Sequence, residues 1–212
     1  MIMSAFMLHM RDELNAWMLH RADAVMDRIY GQRKRAIYSR LPNTVVEIGP
    51  GTGANLRYYA PNTRLIAIEP NRAMHPRLRS QAKRYNIHLQ IKTMQGEQID
   101  LPDASVSAVV GTLVLCSVQD PQQVIAEVRR ILKPGGRYIF LEHVAAVSGT
   151  PLRGFQEKLL GIWRRLFDGC HLNRATNTLI GTAGFADVDM DCFILRWRVL
   201  PIAPHIFGVA VN

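Results

Sequence analysis

Three glycines at alternate positions, Gly49, Gly51 and Gly53, follow the β-branched run Thr44-Val45-Val46-Glu47-Ile48. Val45, Val46 and Ile48 suit a strand buried on both faces. Glycines there let the backbone turn sharply and approach a ligand with no Cβ in the way. Residues 53–60 are expected to open a helix whose first N–H groups point back at the turn. Strand, glycine turn and helix together predict a nucleotide-type ligand site. Glu69 ends the second expected strand, twenty positions after Gly49, where a carboxylate accepts the hydroxyls of a ribose. Gly49, Gly51 and Ala54 also satisfy the dinucleotide pattern G-x-G-x-x-A, so the turn alone leaves the ligand open.

The elements that must position these residues alternate. Strands are expected at 44–48, 64–69, 87–92, 106–112 and 137–143, with helices at 53–60, 72–85 and 119–132 between them. That order indicates βαβ units and a parallel sheet, and right-handed crossovers put helices on both faces. Lys133-Pro134-Gly135-Gly136 reads as a sharp stop between a helix and the fifth strand. A helical insertion at 151–167, a helix near 173–183 and two strands near 187–194 and 205–211 close the chain. Residues 1–40 read as helical, with Met3, Phe6, Met7, Met10, Leu14, Trp17 and Met18 on one apolar face. Gly31 is expected to break that pattern.

Bulk properties exclude several classes. The 212 residues are 48% hydrophobic and 20% charged, ordinary for a globular protein, and fit one sizeable core. No apolar run is long enough to predict a transmembrane helix, and the start lacks the pattern of a secretory signal. The net charge of +9 allows an anionic partner, but the basic residues are scattered without interleaved aromatics, so no specific nucleic acid is expected. Cys116, Cys170 and Cys192 are odd in number and irregularly spaced. They predict no disulfide scaffold and a reducing, cytoplasmic compartment. No Cys/His spacing resembles a zinc site, and no metal is expected.

Glu47-Ile-Gly-Pro-Gly-Thr-Gly53, Glu69, Gln95-Gly96-Glu97, the strand end at Thr112 and Lys133-Pro-Gly-Gly136 together resemble class I S-adenosylmethionine-dependent methyltransferases. The resemblance spans residues 43–143 and continues weakly to the end. It implies an α/β, Rossmann-like, seven-stranded, mostly parallel sheet with an antiparallel last strand, preceded here by an N-terminal helical extension. Residues 1–40 would be that lid or extension, and 41–212 the methyltransferase domain, with an acceptor-covering insertion near 147–184. S-adenosyl-L-methionine is the implied cofactor, bordered by Glu47, Gly49, Gly51, Gly53, Glu69, Pro70, Gly96, Glu97 and Thr112. In this reading Glu69 holds the ribose, Gln95 or Glu97 meets the adenine, and Glu47 meets the ligand ammonium directly or through water. The plainer role for Glu47 is a turn carboxylate.

A closer resemblance lies in Thr112-Leu-Val-Leu-Cys-Ser-Val118, Phe140-Leu-Glu-His-Val-Ala-Ala146, Leu166-Phe-Asp-Gly-Cys-His-Leu-Asn-Arg174 and Pro204-His-Ile-Phe-Gly-Val-Ala210. These are similar to the methyltransferase-like seven group of alkyl thiol methyltransferases. The implied acceptor is a small molecule, a thiol in preference, methylated by in-line displacement. His143 is the candidate base or orienting group, with Asp168 and His171 as candidate pocket residues. Each has a plainer reading: His143 as a loop hydrogen-bonder, Asp168 as the turn residue before Gly169. Cys116 and Cys170 are expected to be small buried residues or pocket lining. The alternative is a phospholipid or quinone/phenol methyltransferase at a membrane surface, reached through the amphipathic residues 1–19. An NAD-dependent oxidoreductase is the reading the glycine turn leaves open from another class.

Overall fold

The structure is a computed structural model describing residues 2–196 and 200–212, with side chains described outside positions 2–9, 11, 19 and 22. Its elements in chain order are α1 (Ile2–Tyr38), β1 (Thr44–Ile48), a short 3₁₀ turn (Leu56–Tyr58), β2 (Arg64–Ile68), a second 3₁₀ turn (Arg72–Met74), α2 (His75–Arg84) and β3 (His88–Lys92). Then follow β4 (Val106–Thr112), α3 (Pro121–Ile131), β5 (Leu132–His143), α4 (Pro151–Leu166), α5 (Thr176–Gly181), β6 (Asp187–Ile194) and β7 (Pro204–Val211). The strands form a seven-stranded sheet in the order β3-β2-β1-β4-β5-β7-β6. The chain divides into two compact units, residues 1–95 and 96–212.

In the first unit β1, β2 and β3 are parallel, with Thr44 beside Arg64 and Arg64 beside His88. Val45, Val46, Leu65, Ala67 and Ile68 are buried, as strands covered on both faces require. The apolar stripe of α1 does not face this core. Met10, Leu14 and Trp17 are 57%, 54% and 53% exposed, and Met18 is also exposed. The expected members Met3, Phe6 and Met7 lie outside the described side chains.

The helix packs instead through a polar-aromatic face. Tyr38 stacks on Tyr59 at 5.4 Å between ring centroids, Arg57 pairs with Asp23, and the Tyr58 hydroxyl donates to Asp27 at 2.5 Å. Those partners sit C-terminal to the stripe, and they decide which side turns inward. Gly31 does not break α1. A Cβ there would meet the Asp27 carboxylate and the Arg35 guanidinium, which pair at 3.2 Å across the same face. The glycine makes room for that pair, and neighbouring turns hold the helix together.

In the second unit β4 and β5 are parallel, while β7 runs antiparallel to both β5 and β6. Lys133–Gly136 lies inside β5 as a looped-out segment: Val106 pairs with Leu132 and Ala108 with Arg137. Gly135 takes φ +73°, and its N–H donates to the Asn212 carbonyl at 2.8 Å. α3 starts at Asp120, whose carboxylate accepts from the N–H groups of Gln122 and Gln123.

Gln156 of α4 is fully buried. Its carbonyl accepts from Ala146 N–H at 2.8 Å, and its amide donates to Val144 and Pro201 carbonyls at 3.2 and 2.8 Å. One side chain thus fixes α4 to the segment after β5 and to the loop before β7. Gln156→Leu keeps the volume but orphans buried backbone groups, each costing about 1–3 kcal/mol. A loss of about 3 kcal/mol in urea unfolding is expected, and an unchanged midpoint would refute this account.

Candidate active site

The glycine turn after β1 has the backbone its sequence demands. Gly49, Gly51 and Gly53 take φ +61°, +57° and +90°, where other residues are strained. Nothing stands within 4 Å of where a Gly51 Cβ would lie. A Cβ on Gly53 would come within 3.1 Å of Gln81 and 3.2 Å of Leu78. So Gly51 leaves open space beside the turn, and Gly53 allows close packing on α2. The expected helix over 53–60 is only the 3₁₀ turn Leu56–Tyr58. Its bonds run three residues back, Leu56 N–H to Gly53 and Tyr58 N–H to Asn55, and the Asn55 side chain does not cap it but is committed elsewhere.

That commitment is a buried chain of hydrogen bonds. The Lys34 ammonium donates to Asn55 Oδ1 at 2.7 Å. Asn55 Nδ2 donates to Glu47 at 2.7 Å, and the Tyr59 hydroxyl donates to the other Glu47 oxygen at 2.7 Å. Burial pushes the Glu47 carboxyl up, against the opposing hydrogen bonds of Tyr59 and Asn55. Burial also lowers Lys34 to about 8, partly offset by the Glu47 charge. Both Glu47 oxygens are therefore engaged under the turn. Glu69 reaches across it: one oxygen accepts from Gly51 N–H and the other from Asn71 N–H, both at 2.9 Å. Both Glu69 oxygens thus face the turn, where a carboxylate is the group that accepts from hydroxyls. Pro70 beside it is exposed. The open space at Gly51 and the carboxylate at Glu69 fit a ribose-bearing ligand with a compact polar end.

In the second unit a different cluster forms around the end of β5. Glu142 is fully buried and accepts from the N–H groups of Val114 and Leu115, both at 3.0 Å. Burial raises its carboxyl to about 7, against those same bonds. The adjacent His143 places Nε2 3.0 Å from Cys170 Sγ. Cys116, His143 and Cys170 are all buried, and one ligating atom from each lies within 4.8 Å of the others. The Cys116 thiol pushes Cys170 below the ordinary thiol range, with His143 acting in the same direction; Cys116 itself is driven up.

Methyltransferase domains match residues 46–140 of this chain. Thiol S-methyltransferase TMT1B of Rattus norvegicus is 38% identical over 192 residues, which are 85% of this chain and 78% of that protein. Thiol S-methyltransferase TMT1A of Homo sapiens is 35% identical over 211 residues, 92% of this chain and 85% of its own. The chain belongs to the thiol S-methyltransferase family. In fold it is also similar to a SAM-dependent methyltransferase from Thermotoga maritima, at TM-score 0.66 and 20% identity, covering 95% of this chain and 98% of that one. The seven-stranded, mostly parallel sheet with its reversed β7 is the Rossmann-like arrangement of such methyltransferases.

Seen as a family member, the chain places its remaining candidates as follows. Glu97 accepts from Gln119 and Asp120 N–H at 2.9 and 3.2 Å, tying its loop to the start of α3. Gly96 is buried, and Thr112 is half-buried at the end of β4. Asp168 is exposed and takes φ +46° ahead of Gly169 at +77°, a left-handed pair that turns the chain into Cys170. His171 is half-buried, and its backbone N–H donates to the Cys116 carbonyl at 2.8 Å. Burial, Arg174 and Arg164 lower its side chain. Of the candidate catalytic side chains, it is His143 that the structure sets within the cysteine cluster.

Sequence reasoning missed Lys34, Asn55, Tyr59 and Glu142. Only Glu142 carried a signal, as a lone acid in the apolar run Tyr138–Leu141. Lys34 generates a pH prediction. Its folded value lies below that of an unfolded lysine, so the native state binds fewer protons between about pH 8 and the ordinary lysine range. The cost of burying the ammonium is full below that window and falls as pH rises through it. Relative to Lys34→Met, the native protein should gain unfolding free energy above pH 8, by at most about 1.4 kcal/mol per unit. Parallel stability curves for the two proteins would sink this assignment.

Proposed function

We propose that this chain transfers a methyl group from S-adenosylmethionine to the sulfur of a small thiol. The observation that carries this reading is the 38% identity to a thiol S-methyltransferase over 85% of the chain. Two features of the structure support it: the open turn with Glu69, and a buried His143 beside soft sulfur groups. When bound, the cofactor supplies a methyl carbon on a sulfonium, open to direct displacement. The protein's part is placement and exclusion of water. Glu69 sets a carboxylate at the edge of the turn to accept from the ligand's hydroxyls, and Gly51 lets the ligand lie against the backbone. Glu47, locked by Asn55 and Tyr59, holds the turn from beneath. His143 orients the acceptor or takes its proton. Little more is needed, since a thiolate is already a strong nucleophile.

The same reading keeps the protein in a reducing, cytoplasmic compartment, where its cysteines remain thiols. It also meets its acceptor at a membrane surface. Among the described residues no helix is long and apolar enough to cross a membrane. The exposed Met10, Leu14, Trp17 and Met18 recur on α1 with the spacing of one helical stripe, as in a helix lying in a bilayer interface.

Three measurements test these proposals. A panel of alkyl thiols, phenols and amines with S-adenosylmethionine should show turnover on thiols; turnover on oxygen or nitrogen acceptors alone would refute the reading. Glu69→Ala should weaken S-adenosylhomocysteine binding about 10- to 100-fold by calorimetry, the value of hydrogen bonds to a charged group. For the membrane, the protein should cosediment with anionic vesicles and Leu14→Glu/Trp17→Glu should not. Equal recovery of both proteins in the vesicle pellet would remove α1 as the contact.

A further inference from the structure

The three cysteines have no metal-site spacing, yet the fold gathers two of them with a histidine. Cys116 comes from the loop after β4, His143 from the end of β5, and Cys170 from the turn after α4. Their ligating atoms lie within 4.8 Å of one another, and all three residues are buried. We infer that Cys116, His143 and Cys170 form a binding site for a thiophilic divalent cation, zinc above all, with its fourth position left for the sulfur of the acceptor.

The donor set is the first argument. Two thiolates and one imidazole are zinc ligands, and tetrahedral zinc needs a fourth. Among the described residues no fourth Cys, His, Asp or Glu joins this group. A structural site closes its shell with protein; three ligands and an open position are the arrangement that takes water or substrate.

Preorganisation is the second argument. The loop bearing Cys116 is pinned from several sides. Glu142 accepts from Val114 and Leu115 N–H, Arg174 donates to the carbonyls of Leu115 and Val118 at 2.5 and 2.9 Å, and His171 N–H reaches the Cys116 carbonyl. Leu113 and Asp168, one in each cysteine-bearing loop, hold left-handed backbone at φ +54° and +46°. Such backbone persists only where the surrounding structure enforces it. The third argument is the aim of His143: its Nε2 faces Cys170 Sγ at 3.0 Å, so this ring nitrogen is turned to the cysteines.

The chemistry extends the proposed function and rests on it for the identity of the fourth ligand. An acceptor thiol exchanges its S–H bond for an S–Zn bond and releases the proton to solvent. A sulfur lone pair then forms the new carbon–sulfur bond. The methyl–sulfonium bond breaks, and both its electrons leave on the donor sulfur. His143 then serves as a ligand rather than as a base.

The test begins with metal, not activity. The full chain, stripped with chelator and titrated with Co²⁺, should bind one equivalent. It should show the near-ultraviolet charge-transfer absorption of a thiolate–cobalt bond. Zn²⁺ should displace the cobalt. Cys170→Ser and Cys116→Ser should each weaken Zn²⁺ binding at least about 100-fold, a ligand mattering no less than an outer-shell partner. Cys192→Ser, at an exposed thiol, should not. No charge-transfer band in the native chain, or equal affinity in Cys170→Ser, overturns the site. Circular dichroism of each variant separates lost ligation from lost folding. Adding an alkyl thiol should shift the cobalt spectrum; an unshifted spectrum overturns the open position. A chain that binds cobalt as expected but methylates no thiol would refute the proposed acceptor and leave the metal site standing.

Discussion

A buried carboxylate must find hydrogen-bond donors, and here each one finds them in a neighbouring loop. Glu142, fully buried near the end of β5, meets the rule at one oxygen: Oε1 accepts from both Val114 and Leu115 N–H, while Oε2 has no hydrogen-bond partner among the described residues. Those two bonds fix the loop after β4, and with it Cys116. Glu69 does the same for Gly51 and Asn71, and Glu97 for the start of α3. Acids at strand ends thus turn flexible loops into a rigid surface.

The cost of this construction is visible in the acids themselves. Burial raises both Glu47 and Glu142, and their hydrogen-bond partners oppose that rise by favouring the charged forms. Lys34 answers Glu47 through Asn55 from the far end of α1. That link explains why a helix with an outward apolar stripe still belongs to the first unit. Its attachment is electrostatic and aromatic, through Asp23, Asp27, Lys34 and Tyr38, rather than through its hydrophobic periodicity.

The two units carry different chemistry. The first offers an open glycine turn and hydrogen-bond acceptors, suited to a polar ligand. The second gathers soft sulfur and imidazole in a buried cluster, suited to a sulfur-seeking partner. Membership of the thiol S-methyltransferase family agrees with both.

Strand positions, the glycine turn and the acid at the second strand end were all legible in the chain, because each rests on local rules. Alternation of apolar runs marked β1 to β7 closely, and glycine is the residue that takes the positive φ at 49, 51 and 53 without strain. Periodicity also found α1, but not its orientation, since an apolar stripe does not say whether core or solvent will cover it. The helix expected over 53–60 is one 3₁₀ turn, and its Asn55 serves not as a cap but as a link between Glu47 and Lys34, a pairing no local pattern announces. Tertiary structure alone decided the cysteine cluster. Cys116, His143 and Cys170 are 27 residues apart in each step, and no local pattern relates them. Only the parallel pairing of β4 with β5, and the left-handed turn after α4, bring their ligating atoms together.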